Sequence, residues 1–429
     1  MTLRMIFRPL IGFKVTIMHY DSPNYALRKA LVVTRNSTIR DSVVEINIGK
    51  SIDNYRDIRR SYKVPYLLSP TLLTLVNAIP AIRQLHTIQL NNIILSRMYL
   101  HTILASPCLI HLILKTVQLP KIRTFLPPKL RKLTLIIMSP WETVQPLISQ
   151  LATSLEYLEL QGCEFLSLSQ LQLPSFPCLQ ELRHHQHFTW STFPAKNQLN
   201  ELLRLGSQVA HLHVTGHVHE PVTACQKSLQ YLSTDAQMLS ELIFGTEPFP
   251  RLIHLSLRVS RFSDAVKRLL THSSFICDHF PRITSLHLDI PWVVRNDAIV
   301  MALSQHNVQT LKLIINTTRG IDYEEDWETH SCLSLEVSNG QLYPAVLPVA
   351  LQTLELEVLQ VHGEPERSAA RCSQWIFDDV VPSMVDLDGT GLKSISMWVS
   401  QPKSIPVERE RVLWRRWVRV SNGDWHILE

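Results

Sequence analysis

The sequence has little glycine and few cysteines. Only 12 of its 429 residues are glycine, roughly 3% where about 7% is usual. Glycine-rich loops that hold phosphates are therefore not expected, which argues against nucleotide chemistry. The seven cysteines contain no Cys-x-x-Cys pair, and their odd number disfavours both a disulfide framework and a thiolate zinc site. We expect most of them to be small buried residues in a reducing compartment.

Long apolar runs are also missing, so we expect no transmembrane helix, no membrane partner and an intracellular location, cytoplasmic or nuclear. The apolar N-terminus is interrupted by Arg4, Arg8 and Lys14, unlike the continuous core of a signal peptide. Residues 1–65 carry twelve Lys and Arg against five Asp and Glu. This basic part could contact an acidic partner or an anionic surface, or it could be an ordinary solvated face.

The local motifs of the common catalytic classes are absent. The sequence contains no Gly-x-Ser-x-Gly and no His-Glu-x-x-His. Gly49-Lys50-Ser51 follows a predicted strand, but a P-loop would require glycine where Val44 stands. We therefore predict that the chain is not an enzyme, has no catalytic residue and holds no cofactor.

A Leu-x-x-Leu-x-Leu pattern recurs through most of the chain. In "SLEYLEL" (154–160) it consists of Leu155, Leu158 and Leu160. Successive copies begin 20 to 31 residues apart, except that the last two steps are 43 and 41 residues long. The copies begin at Leu85, Leu109, Leu130, Leu155, Leu179, Val209, Leu229, Leu252, Ile283, Val308, Leu351 and Leu392.

The alternation within each copy predicts a short strand with its leucines on one face. One such strand cannot bury its leucines alone, whereas stacked copies form a parallel sheet with a continuous core. Apolar spacings of three and four between the copies predict helices. These helices are expected at 92–105, 141–152, 197–206, 263–272 and 296–306, with Ser263 and Asn296 as N-caps of the last two. The predicted fold is an α/β solenoid with a parallel concave sheet and outer helices.

The two ends depart from the repeat. We predict three parts: a basic N-terminal segment and cap (1–81), the solenoid (82–400) and a C-terminal cap (401–429). Residues 42–50 are predicted to be the first strand, which caps the sheet, and residues 366–386 are predicted to be a helix. The stretch 418–427 predicts a hairpin that turns at Asn422-Gly423. The acidic stretch 319–331 is expected to protrude as a loop.

The repeated triplets resemble those of leucine-rich-repeat proteins over residues 82–400. The "FPRLIHLSL" and "FPRITSLHL" segments and the irregular repeat length further resemble fungal F-box-type leucine-rich-repeat proteins. That resemblance implies a horseshoe whose repeats hold a substrate while an N-terminal F-box docks on a ubiquitin-ligase adaptor. No Leu-Pro-x-Glu F-box motif precedes residue 43, and "RPLIGF" (8–13) is a poor substitute. Substrate recognition for a ubiquitin ligase and an adaptor-independent scaffold therefore both remain open.

The residues between the leucines are predicted to line the concave sheet and to bind a protein partner. Tyr157, Arg183 and Tyr231 are the predicted anchors, because aromatic and arginine side chains dominate binding energies. The alternative is an ordinary solvated polar face. The complete predicted set is Tyr157, Glu159, Glu181, Arg183, His185, His211, His213, Tyr231, His254 and His287.

Two groups of polar residues allow a second interpretation. The histidines near 184–187 and 211–219 could place His185 and His213 within reach of each other, but their spacing matches no zinc motif, so no metal is predicted. "RERVLWRRWVRV" (409–420) mixes arginine with tryptophan, as in surfaces that stack bases. A capping segment with packed tryptophan and solvated arginine explains it better, so no nucleic-acid partner is predicted.

Overall fold

The repeated triplets form the strands of a mostly parallel sheet in each of two units of a computed structural model. The units comprise residues 1–220 and 221–429. The fold is therefore of the α/β class, with strands that follow one another in chain order. The structure describes residues 13–18, 23–49, 66–67, 70–120, 129–136, 141–161, 173–185, 198–215, 227–235, 239, 249–258, 280–291, 307–316, 350–359, 391–402, 409–420 and 425–428.

In the first unit each strand of the sheet is parallel to its neighbour, and a short separate pair is formed by β3 and β5. The strands are β1 (Phe13–Met18), β2 (Val43–Gly49), β3 (Tyr66–Leu67), β4 (Thr87–Asn91), β5 (Ile93–Ile94), β6 (His111–Lys115), β7 (Lys132–Ile136), β8 (Tyr157–Gln161), β9 (Glu181–His185) and β10 (His211–Thr215).

In the second unit the first six strands are parallel, and each of the last two is antiparallel to the strand before it. The strands are β11 (Tyr231–Asp235), β12 (His254–Arg258), β13 (Ser285–Pro291), β14 (Thr310–Asn316), β15 (Thr353–Leu359), β16 (Ser394–Pro402), β17 (Arg409–Arg419) and β18 (Trp425–Leu428).

Helices connect several strands of the first unit. They are α1 (Pro23–Arg35), α2 (Ser37–Arg40), α3 (Pro70–Ala78, followed by the 3₁₀ turn Ile79–Ala81), α4 (Arg97–Leu104), α5 (Trp141–Leu151) and α6 (Gln198–Leu205). The Ser96 hydroxyl caps α4 by accepting a hydrogen bond from the Tyr99 amide at 3.3 Å. None of the helices in the described part of the chain is long and apolar enough to cross a membrane.

The helix predictions have mixed outcomes. The helices predicted at 141–152 and 197–206 are confirmed by α5 and α6. The helix predicted at 92–105 is shorter, because Ile93–Ile94 forms a strand and the Ser96 cap starts the helix at Arg97. The predicted helices 263–272, 296–306 and 366–386 and the acidic loop 319–331 lie outside the described residues.

The core consists of the apolar positions of the triplets, as the alternation predicts. The first apolar residue of every copy, from Leu85 to Leu392, is at most 3% exposed. Within the strands, Leu158 and Leu160 of β8 are buried while Tyr157 and Gln161 are partly exposed. Burying one leucine is worth roughly 1.5–3 kcal/mol, so the stacked leucines are the main stabilising feature of both sheets.

A repeated hydrogen bond fixes where each strand begins. The carbonyl of the residue after the first apolar position accepts two amide hydrogens from the next copy. Arg131 O receives Glu156 N at 2.8 Å and Tyr157 N at 3.1 Å in the first unit. In the second unit Ile253 O accepts from Thr284 N at 2.9 Å and from Ser285 N, the first residue of β13, at 3.1 Å. The start of each strand is thereby held in register with its neighbour.

The ends of the sheets differ from the predictions in two places. A strand does form at 43–49, but it does not cap its sheet, because β1 pairs with its outer side. At the other end β17 and β18 form the predicted hairpin, yet their last paired residues are Arg419 and Trp425. The first strand of the hairpin begins at Arg409, well before the predicted stretch 418–427, and the expected turn residues Asn422-Gly423 lie outside the described residues.

Gly49 is required by the close approach of two strands. Its φ of +116° lies where side chains are rarely tolerated, and a Cβ there would lie 1.9 Å from the Asn91 carbonyl oxygen. The glycine of Gly49-Lys50-Ser51 is thus explained by the packing of β2 on β4.

Candidate functional site

The candidate site is the polar face of the strands, which we call the strand face. It consists of the outward side chains that alternate with the buried leucines. In the first unit the register aligns His111, Lys132, Tyr157, Glu181 and His211 on successive strands. Neighbouring strands are about 4.8 Å apart, so adjacent side chains of this row can contact one another.

Two carboxylates hold the tyrosine and the arginine that were predicted as anchors. The Tyr157 hydroxyl donates a hydrogen bond to Glu159 Oε2 at 2.7 Å. The Arg183 guanidinium donates to Glu181 Oε1 from Nε at 2.8 Å and from Nη2 at 2.7 Å. The Arg183 Cζ atom also lies 5.4 Å from the centre of the Tyr157 ring, a cation–π distance. We call these four residues the anchor cluster.

The anchor cluster is ordered but still accessible. The side chains of Arg183 and Glu181 are 32% and 28% exposed, so this pair can contact a partner without leaving its position. Glu159 lies deeper, at 9% exposure, and serves to hold the tyrosine. The arrangement presents one ring and one cation whose polar groups are already hydrogen-bonded, which lowers the entropy lost when a partner binds.

A chain of hydrogen bonds extends from the cluster across the neighbouring strands. Thr134 donates to Glu159 Oε2 at 3.2 Å, and His111 Nε2 lies 3.1 Å from the Thr134 hydroxyl. The His111 ring also meets the Tyr157 ring edge-on, with 5.9 Å between their centres. Thr134 occupies one of the predicted outward positions between the leucines but was not among the predicted binding residues, and it is buried.

Burial shifts the pKa values of two residues in this chain of hydrogen bonds, His111 and Tyr157. The pKa of His111 is lowered to about 4, first because the ring is buried and second because Lys132 is positively charged nearby. His111 is therefore neutral near pH 7. The pKa of Tyr157 is raised by burial and by the adjacent Glu159 carboxylate, so its hydroxyl remains a hydrogen-bond donor.

The two predicted histidines of β9 and β10 face carboxylates. His185 Nε2 lies 3.8 Å from Glu159 Oε1, and its Nδ1 lies 2.9 Å from the Thr215 hydroxyl. His213 Nε2 lies 3.7 Å from Glu181 Oε1. His184 is on the opposite, buried side of the same strand, as the alternation predicts. His211 begins β10 and is exposed.

The register argues against direct pairing of His185 with His213. His213 aligns with Arg183, and His185 aligns with Thr215. Among the described residues no group of three or more His, Cys, Asp and Glu is arranged to hold a metal ion. His187, His217 and His219 lie outside them. The two cysteines described are not buried: Cys108 is partly exposed and Cys178 is exposed. The other five lie outside the described residues, so the prediction that most cysteines are buried stays a prediction.

The remaining predicted residues form a row of rings in the second unit. The Tyr231 and His254 rings stack with 4.4 Å between their centres. The His287 ring meets His254 edge-on at 4.2 Å. These three side chains lie on β11, β12 and β13. The register therefore brings together rings from residues that span more than fifty positions of the sequence.

The second unit also contains ion pairs that were not predicted. Lys312 on β14 and Glu357 on β15 form a salt bridge in which both side chains are buried, at 11% and 2% exposure. Arg258 Nε lies 3.2 Å from Asp289 Oδ2 on the next strand. On β17, Trp417 is buried and Arg416 is exposed, as expected for a capping segment.

Comparison with known proteins adds no family assignment, because no protein-family model matches the chain and no curated protein matches it significantly.

Proposed function

We propose that the chain is a leucine-rich-repeat solenoid that acts as a non-catalytic protein-interaction module. The observation that carries this proposal is the anchor cluster. The leucine core needs no tyrosine, arginine or paired carboxylates on its polar face, yet these side chains are held in one arrangement. Preorganised tyrosine and arginine are the side chains that most often dominate protein binding.

Two cellular settings are compatible with this function. The first is substrate recognition for a ubiquitin ligase, through a ubiquitin-ligase adaptor; it is supported by the resemblance to F-box-type leucine-rich-repeat proteins. The alternative is an adaptor-independent scaffold, in which the strand face binds the partner with no ligase link. Both settings use the strand face for the partner, so the anchor cluster has the same role in each.

The proposal is tested by capturing partners from a native extract with the tagged full-length chain. We expect a stoichiometric partner to be retained by the wild type and lost from Tyr157→Ala. The matched control is Arg131→Ala, which removes the exposed Arg131–Glu156 pair of 3.1 Å from the same unit but leaves the strand face unchanged. Equal capture by all three proteins would contradict the proposal.

The same experiment separates the two settings. A cullin and an F-box-binding adaptor that remain bound when Tyr157 is replaced would support the ligase setting, because the adaptor would use another part of the chain. A partner lost from Tyr157→Ala with neither protein present would support the scaffold.

A further inference from the structure

The edge of the second unit's sheet at which the parallel strands begin is rich in positive charge. Lys227 precedes β11, Arg251 precedes β12, Arg282 precedes β13 and Lys393 precedes β16. All four residues are exposed. We call these four residues the basic rim. Parallel strands start at one common edge, so the four cations lie along the same edge of the sheet. Arg251 and Arg282 each stand three residues before their strands, whereas Lys227 stands four residues before β11 and Lys393 one residue before β16.

The rim is not neutralised by neighbouring acids in the described part of the chain. None of its four residues forms an ion pair there; Lys393 Nζ donates instead to the neutral amide oxygen of Gln352 at 3.1 Å. The described residues of these turns, within 227–230, 249–253, 280–284, 307–309, 350–352 and 391–393, include no Asp or Glu. The rim therefore has a charge that an anionic partner can complement.

Two of the turns that present the rim are braced by buried phenylalanines. Phe249 and Phe280 are buried, and their rings stack with 5.6 Å between centres. In each turn the first apolar residue of the copy donates its amide hydrogen to the phenylalanine carbonyl at 3.3 Å. Arg251 and Arg282 are thus held on adjacent, equivalent turns, about one strand spacing of 4.8 Å apart. This is the structural role of the "FPR" segments.

An apolar side chain lies along the same edge. Ile253 is 47% exposed at the start of the second unit's second strand, although most large apolar residues of the triplets are buried. The corresponding residues on the two adjacent strands are Gln230 and Thr284, and Gln309 and Gln352 follow further along the edge. Their amide and hydroxyl groups can bond to a peptide backbone. Arginine beside exposed aliphatic surface is typical of protein interfaces.

We propose that the basic rim, together with Ile253, docks an acidic peptide segment that carries an apolar residue between its carboxylates. The inference rests on the proposed protein-interaction function and adds the chemistry of a partner for the second unit. A nucleic acid fits the rim less well, because an aliphatic side chain offers a base no stacking surface. The glutamines and Ile253 are complementary to a peptide.

The test uses the full chain and two fluorescein-labelled ten-residue peptides. One contains only Glu and Asp around a central leucine, and the other has Gln and Asn at the same positions. We expect the acidic peptide to bind about tenfold more tightly, with an affinity that falls as salt rises. Equal affinity for both peptides, or an affinity independent of salt, would overturn the inference.

Variants then locate the binding surface. Replacing both arginines (Arg251→Gln with Arg282→Gln) should weaken acidic-peptide binding about tenfold, and Ile253→Ser alone should weaken it about fivefold. The control Arg258→Gln removes a cation from the same sheet that is already paired with Asp289, and should change the affinity less than about twofold. An equal loss in the control would contradict the assignment. If the double variant does not fold, Ile253→Ser and the salt series still decide.

Two outcomes identify how the inference fails. Tighter binding of a ten-nucleotide single strand than of the acidic peptide would reject the peptide assignment. Acidic-peptide binding that is lost in Tyr157→Ala would also reject the rim as the site, because Tyr157 belongs to the first unit. Neither outcome affects the capture experiment on the anchor cluster, so a failure of the rim inference can be distinguished from a failure of the proposed function.

Discussion

Charged side chains are used differently on the strand faces of the two units. In the first unit, Arg183 and Glu181 form a pair whose side chains are 32% and 28% exposed. In the second unit, Lys312 and Glu357 form a pair whose side chains are 11% and 2% exposed. The backbone pattern beneath them is the same, with buried leucines and a shared carbonyl at the start of each strand.

The difference shows that one repeat pattern supports two roles for an ion pair. A buried pair is expensive to break, because removing one partner leaves an uncompensated charge in a poorly solvated place. A half-exposed pair contributes little to folding, since water solvates the remaining charge. We infer that the Lys312–Glu357 pair is structural, and that the Arg183–Glu181 pair is retained for recognition.

The largest expected effect is at the buried pair. Glu357→Gln should lower the free energy of unfolding by about 3–5 kcal/mol, because Lys312 would remain buried and charged. The double variant with Lys312→Met should recover most of this loss, since neither charge remains. Chemical denaturation monitored by circular dichroism measures both. A single variant as stable as the wild type would remove the distinction between the two pairs.

The leucine core should respond alike in both units. Leu158→Ala in the first unit and Leu286→Ala in the second should each destabilise by about 2–5 kcal/mol, because both residues are at most 3% exposed. The same denaturation experiment checks this. A large effect in one unit and a negligible effect in the other would show that the repeat is not equivalent in the two.

The exposed pair should matter little to folding. Glu181→Gln should lower the free energy of unfolding by no more than about 1 kcal/mol, because water can solvate the side chains of Arg183 and His213. Partner capture by this variant should nevertheless fall, since the guanidinium is no longer held beside Tyr157. A stability loss as large as that of Glu357→Gln would indicate that this pair is structural too.

The smallest effect concerns pH and belongs to the first unit. The folded-state pKa of His111 is about 4, below the usual value of about 6.5, so the unfolded chain binds more protons between these values. The contribution of His111 is complete above pH 6.5 and is lost as the pH falls towards 4, on the order of 1 kcal/mol after allowance for solvent. His111→Gln should lack this part of the pH dependence. If the free energies of unfolding of the wild type and His111→Gln fell in parallel between pH 7 and 4, the prediction would be contradicted.

Much of the strand arrangement could be predicted from the sequence, because alternation within a strand is a local property. The triplets located the buried leucines and the outward positions, including Tyr157 and Arg183. The triplet defines only two outward positions, however, and Glu357 occupies a third that lies beyond it. Its pairing with Lys312 depends on how two copies align across a long insertion, which spacing within one copy does not specify.

The ends were harder to predict for a related reason. Phe13–Met18 lacks the triplet, so nothing local indicated that it would add a strand outside residues 43–49. The stretch 418–427 indicated a hairpin, but its first strand extends back to Arg409 because it pairs with Ser394–Pro402. In both places contacts with another strand decided the structure over local preference.

The measurement that tests the central claim most directly compares partner binding by Arg183→Gln and Arg131→Gln. Both variants remove an arginine from an Arg–Glu pair of the first unit, but only Arg183 lies in the anchor cluster. We predict equal unfolding midpoints for the two proteins and at least a tenfold loss of partner affinity for Arg183→Gln alone. Equal affinities at equal stability would show that the strand face of the first unit is an ordinary solvated surface.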